Sequence, residues 1–196
     1  MKYLTVFVHG EVHVISRKDR FKRNIWKRYL KPPYGPNGGN NQSWLFTAIQ
    51  NKDILSKINE LLREGFQYWT PDDDYPGKLG AKAYAQREDC HFFHHAPTLI
   101  IASNRPNYEN AMADCALALE NLFLAAQLLR LGSCYINSLH WLRNDPELRN
   151  YLFQLGIPTE YTICSAAAVG YMVPLQKIWL FYKTSEKHHK WDIYMP

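Results

Sequence analysis

An α+β fold is predicted for this chain of 196 residues. Three observations carry the prediction. Apolar runs of strand length lie at Trp44 to Ile49, Thr98 to Ala102 and Tyr161 to Tyr171. A long apolar segment with helical spacing fills residues 109 to 131. Glycine and proline punctuate the chain between them. The length suits one domain or a tight pair, and a chain of this size buries roughly 70% of the surface its unfolded form exposes. With 46% hydrophobic and 21% charged residues, the composition is that of a globular protein and excludes a disordered one.

Residues 1 to 15 alternate well enough for a strand, and 16 to 31 are basic without a clean period. The stretch from Lys31 to Gly39 contains Pro32, Pro33 and Pro36, cannot be a helix, and reads as an ordered loop. From Asp53, the set Ile54, Leu55, Ile58, Leu61 and Leu62 has helical spacing, and Gly65 is placed to stop that helix. Residues 66 to 95 read as polar and irregular. Pro97 then precedes a buried strand. In 109 to 131, apolar residues from Met112 to Leu131 cover nearly every face, and Gly132 stands at the end. Such a helix needs a central position or a partner chain over one face. Asp145, Pro146 and Glu147 form a helix start: an N-cap, a proline at the first position and an acid at the positive dipole end. Gly156 and Pro158 end that helix before the last strand.

The net charge of +5 hides an asymmetry. Residues 1 to 34 carry nine Lys/Arg against Glu11 and Asp19, a balance of +7, and the remainder carries fourteen against sixteen, a balance of −2. Such a basic arm suits nucleic acid, an anionic membrane surface or a phosphorylated ligand, or is simply a solvated N-terminus. No apolar run approaches the roughly 18 residues a membrane span needs, and Tyr3 to Val8 is too short for a signal-peptide core. Cys90, Cys115, Cys134 and Cys164 form no CxxC pair, so free thiols in a reducing cytoplasm are expected.

Cys90, His91, His94 and His95 offer four potential zinc ligands, but a structural site draws two pairs from separate turns and no second pair lies at usable spacing. Asp72 to Asp74 reads as a charged loop tip. No metal site is expected. No GxGxxG or GxxxxGK[ST] occurs, which argues against a separate dinucleotide domain or a P-loop. Two segments suit a ligand, the first being otherwise a plain Asn/Gly turn and the second a simple helix-to-strand connection. Pro36-Asn37-Gly38-Gly39-Asn40-Asn41-Gln42-Ser43-Trp44 sets amides and glycines in a turn leading into an apolar strand, which suits a heteroaromatic ring edged with carbonyls and ring nitrogens. Leu131 to Ser138 brings backbone N–H groups out of a glycine turn at the core's edge.

Together these segments resemble the nitroreductase family of FMN-dependent oxidoreductases. The first is similar to that family's P-S-x-x-N-x-Q-P-W loop, with Asn40, Gln42 and Trp44 at matching positions. His95 to Ile101 resembles the strand before its central helix, Asp114 to Ala126 that helix, and Leu131 to Ile136 the G-L-G-S-C-W-I turn. Leu155 to Pro158 and Val169 to Tyr171 resemble its L-G-I-P and closing strand, so the likeness runs in order from Pro36 to Tyr171. The resemblance implies a mixed, mostly antiparallel sheet flanked by helices, in an intertwined homodimer with flavin at the subunit interface. It divides the chain into a divergent basic arm, 1 to 35, and an FMN-binding domain, 36 to 196. It implies that Pro36, Asn37, Gly38, Asn40 and Gln42 contact FMN, that Tyr135 and Ile136 lie against the ring, and that the N–H groups of Asn137 and Ser138 approach flavin N5 and O4. It implies no catalytic side chain. The family's phosphate clamp is poorly matched by Ser16 to Arg20, which leaves the basic arm and Lys183 or Lys187 as candidates for that role. The expected activity is electron transfer from NAD(P)H, through the flavin, to a nitroaromatic, quinone or similar small acceptor by a ping-pong mechanism. The alternatives are a flavin-storage protein without efficient turnover and, further off, a nucleic-acid-binding module.

Overall fold

The computed structural model describes residues 12–15 and 35–171; most of the basic arm, with Arg17 and Arg20, and the C-terminal Lys183 and Lys187 lie outside the described residues. Among the described residues, five strands form one sheet in the order β1-β2-β3-β5-β4: β1 (Val12–Ile15), β2 (Trp44–Ile49), β3 (Thr98–Asn104), β4 (Leu131–Ile136) and β5 (Thr162–Tyr171). β1 pairs in parallel with β2, and the other three pairings are antiparallel. The expected mixed, mostly antiparallel sheet is what the chain forms.

β3 is buried along its whole length, because helices cover both faces of the sheet. Leu99 and Ile101 enter one core layer, Ile100 and Ala102 the other. On β5 the register slips opposite Ala102 and Ser103, so that Cys164 is the extra residue of a bulge. Beyond it Ala166 and Ala168 face the first layer, Ala167 and Val169 the second. A bulge reverses the alternation of a strand, and this one lets Ile163 and Ala166 share a face.

The first layer is built by α1 (Lys52–Tyr68), α2 (Pro76–Ala85), α4 (Ser138–Trp141) and α5 (Pro146–Gln154). Asn51 caps α1, its Oδ1 accepting from the N–H groups of Asp53 and Ile54 at 2.9 and 3.1 Å. Asp145 caps α5, its Oδ1 accepting from Leu148 N–H at 2.9 Å. Gly156, at φ +90°, turns the chain out of α5.

Three details differ from the sequence reading. α1 does not stop at Gly65 but runs three residues further. Gly65 is there for close packing: a Cβ would lie 2.8 Å from Leu142 Cδ1. The 66 to 95 stretch is not irregular throughout, for it contains α2, opened by Pro76 at its first turn. The long apolar helix, α3 (Ala111–Leu128), ends before Gly132, which lies inside β4. Arg130, at φ +56°, makes the left-handed turn in its place.

Among the described residues, α3 is the helix that covers the second face. Asp114, Cys115, Ala118, Leu119, Leu122, Ala125 and Ala126 are buried. Its other face leaves Met112, Leu117, Leu124 and Leu128 open, Leu128 to 65%. Among the described residues, one side of α3 is buried and the other left open. At 18 residues and a mean hydropathy of 1.3, α3 is also long and apolar enough to cross a bilayer by length and composition, against the expectation that no run comes close. In the fold it packs on β3, β4 and β5.

Candidate active site

The amide-rich loop is pinned to the start of α3. Gly38 N–H donates to Asp114 Oδ1 at 3.2 Å, and the Tyr108 hydroxyl donates to Asp114 Oδ2 at 2.7 Å. A side chain at position 38 would have to displace its neighbours, since a Cβ would lie 2.4 Å from Asn110 Nδ2 and 2.7 Å from the Tyr108 hydroxyl. The turn visits left-handed backbone at Gly39, Asn40 and Gln42, a region asparagine tolerates better than most residues. Its amides largely shape the turn itself: Asn37 Oδ1 accepts from Gln42 N–H at 3.1 Å, and Gln42 Nε2 donates to Asn40 Oδ1 at 2.9 Å. Pro36 and Asn40 are exposed. Replacing Asp114 with alanine strands Gly38 N–H and leaves the Tyr108 hydroxyl only its 3.1 Å bond to Gly38 O, so a loss of about 1–3 kcal/mol is expected in urea denaturation, with proteolytic cleavage moving to the 36 to 44 loop.

The second segment forms an edge strand and a short helix. Tyr135 and Ile136 pair with Ala167 and Ala166 of β5, and Asn137 leads at once into α4. Ile136 is buried; Tyr135 is 37% exposed and meets Phe123 of α3 edge to face. Ser138 is buried, and its Oγ has no hydrogen-bond partner. The first N–H groups of a helix have no intrahelical acceptor, so backbone donors cluster beside this unsatisfied hydroxyl.

Tyr135 to Ser138 line a cavity of about 310 Å³. Gly77 and Gly80 of α2 form one wall, and a Cβ at Gly80 would meet nothing within 4 Å. Tyr84, Phe92 and Trp141 supply aromatic surface, and His94 stands at the rim. A buried hydroxyl without a partner, backbone donors, glycines and flat aromatic walls fit a planar heteroaromatic ring with polar atoms along one edge.

The loop does not reach this cavity within one chain. None of Pro36, Asn37, Gly38, Asn40 and Gln42 is among its walls. β2, which the loop enters, lies three places from β4 in the sheet, about 14 Å at normal strand spacing. Lys183 lies outside the described residues.

Several contributors escape the sequence reading. Asn59 of α1, buried, donates from Nδ2 to Cys90 O at 3.1 Å and accepts from Phe92 N–H at 2.9 Å, fixing the Phe92 wall. His94 and His95 both adopt left-handed backbone, at φ +53° and +56°. His91 Nδ1 accepts from His95 N–H at 3.1 Å, and burial followed by the neighbouring His95 pushes the His91 pKa down. The cluster read as potential metal ligands is thus part of a tight turn below the cavity. Asp72 and Asp73 both pair with Lys78. Burial pushes the thiols of Cys90 and Cys134 up, away from nucleophilic thiolate.

Comparison with known proteins places this architecture. A sequence model described as the Nitroreductase family matches residues 34–171. A nitroreductase of Bacteroides fragilis NCTC 9343, solved with bound FMN, is 35% identical, with a TM-score of 0.70 over 79% of this chain and 80% of that one. An Archaeoglobus fulgidus protein, provisionally named NADH dehydrogenase/NAD(P)H nitroreductase, is 26% identical over 85% of this chain and 82% of its own. A BluB-like flavoprotein of Clostridium difficile 630 shares the fold at a TM-score of 0.61 and 19% identity, over 83% of this chain and 85% of that one. With a match spanning both the loop before β2 and the β4–α4 corner, the chain belongs to the nitroreductase family.

Proposed function

We propose that the protein is an FMN-dependent oxidoreductase that takes electrons from NAD(P)H and passes them to a nitroaromatic, quinone or similar small acceptor. The observation that carries the reading is the cavity at the β4–α4 corner, where backbone donors and the unpartnered Ser138 hydroxyl face glycine and aromatic walls. The bound flavin would supply the two-electron chemistry, and the protein its position and polarity. Tyr135 and Ile136 would pack against the ring. The N–H groups of Asn137 and Ser138 would hold its polar edge at N5 and O4, where a donor favours the reduced ring. No side chain is assigned a proton-transfer step.

The working unit is a homodimer. The loop bearing Pro36, Asn37, Gly38, Asn40 and Gln42 stands too far from the cavity of its own chain, and the open face of α3 exposes four large apolar side chains. A second copy laid on α3 would cover those side chains and bring its loop to the cavity, so that each flavin contacts both subunits. In this reading the division at residue 35 separates the basic arm from the flavin domain, and Lys183 and the arm compete for the phosphate. The four free cysteines suit a reducing cytoplasm. Nucleic acid and membrane have no part in the reading. Where one cavity serves donor and acceptor in turn, ping-pong kinetics follow.

The visible spectrum of the purified protein tests this. We expect FMN at one per chain, released on denaturation and bleached by NADH or NADPH, with the colour restored by a quinone. A colourless protein that takes up no added FMN would overturn the proposal.

A further inference from the structure

A second cavity, of about 530 Å³, adjoins the candidate flavin pocket and shares Trp141 with it as a wall. We propose that this second cavity binds the 2′-phosphorylated adenosine of NADPH and makes the protein prefer NADPH to NADH. The inference rests on the reading above, in which a reduced nicotinamide reaches the first cavity.

The cavity lies between the end of α1, the 70s loop and the turn joining α4 to α5. Its charges can be followed one by one. Asp145 is engaged as the cap of α5. Lys78 is held by Asp72 and by Asp73, the latter at 2.7 Å. His140 Nδ1–H donates to Ile163 O at 2.8 Å, and burial pushes the His140 pKa below its ordinary value, so the imidazole is neutral and offers Nε2 to Arg143 Nη1 at 3.3 Å. Arg143 Nη1 also donates to His140 O at 3.0 Å. No carboxylate lies within 4.0 Å of this guanidinium among the described residues, which leaves Nε and Nη2 as donors, and its charge acts on Asp72 across the cavity only at longer range.

A guanidinium with free donors in a half-enclosed site selects a phosphate, which its fork engages through two parallel bonds. Trp69, Trp141 and the exposed Tyr68 set flat aromatic surfaces around it, suited to a purine. The volume lies within the range of small-molecule sites, roughly 300–1,000 Å³. Because both cavities open on Trp141, one dinucleotide bent around that indole reaches both, laying its nicotinamide on the flavin held at the first and its adenosine in the second. NADH presents only a ribose hydroxyl to Arg143. Asp72 and Asp73 oppose an incoming phosphate, so the site is tuned by the balance between them and the two cations.

Calorimetric titration of the full-length protein with adenosine 2′,5′-bisphosphate and with adenosine 5′-monophosphate tests the assignment. The bisphosphate is expected to bind at least tenfold more tightly. Arg143→Gln should abolish most of that difference, and Asp72→Asn should tighten the bisphosphate about two- to fivefold, a gain that damage to the fold does not produce. In the holoenzyme, the ratio of kcat/KM for NADPH over NADH should move in the same two directions. Equal binding of the two nucleotides, or discrimination unmoved by both substitutions, overturns the inference. A protein that holds FMN yet does not discriminate defeats only this proposal, whereas one without FMN defeats the reading on which it rests.

Discussion

Replacing Gly80 with leucine is expected to lower FMN affinity at least tenfold while making the FMN-free protein more stable. The two effects have opposite signs because they arise in different places. Gly80 sits in the middle of α2, where glycine costs roughly 0.8–1 kcal/mol relative to a good helix former. It also lines the cavity at the β4–α4 corner, and its missing Cβ leaves space there. A leucine side chain would shorten the helix's entropy loss on folding and occupy volume meant for the ring. Flavin-fluorescence titration reads the first effect and urea denaturation of the FMN-free protein the second. Unchanged affinity would mean that the flavin does not sit against α2.

The largest stability loss is expected for Phe66→Ala, about 3–5 kcal/mol, against a total of roughly 5–15 kcal/mol for a domain. Phe66 is wholly buried, stacks on Phe92 at 5.1 Å between ring centroids and meets Trp69 edge to face at 5.3 Å. Phe92 is a wall of the first cavity and Trp69 of the second. The substitution should therefore loosen both sites as well as the core. Phe153→Ala is the control: it is 54% exposed on α5 and should cost no more than about 0.5 kcal/mol. A loss below 1 kcal/mol for Phe66→Ala would show that the last turn of α1 is held by something other than this aromatic cluster.

What could be read from the sequence depended on how many physical signals agreed at each place. β2, β3 and β5 were legible because central strands buried on both faces are continuously apolar. α5 was legible because cap, proline and acid coincide at Asp145 to Glu147. α2 was not, because its glycines and lysines give little apolar period; those same glycines open the cavity, so the local rule failed at the candidate site. At Gly65 a packing requirement looked like a stop signal, and at Arg130 a left-handed turn carried no glycine to announce it. For the site, Tyr135 to Ser138 came from family likeness and the fold seats them at a cavity. Asn59, Trp141 and His94 had no signal beyond their chemistry, since only the folded chain brings them to the same corner.

The order of the strands has a kinetic consequence. The centre of the sheet is the pairing of β3 with β5, which joins Thr98 to Val169, and among the described residues β4 hangs on β5 alone. During synthesis β2 and β3 can pair early, but the open side of β3 waits until β5 has emerged, with α3 already made and nothing complete to rest on. Non-local closure of this kind is slow, and an unpaired strand edge beside an apolar helix attracts other chains. Refolding yield should therefore fall with protein concentration more steeply than for a domain whose central strands are neighbours in sequence, and a nascent chain cut before β5 should be a strong client for chaperones.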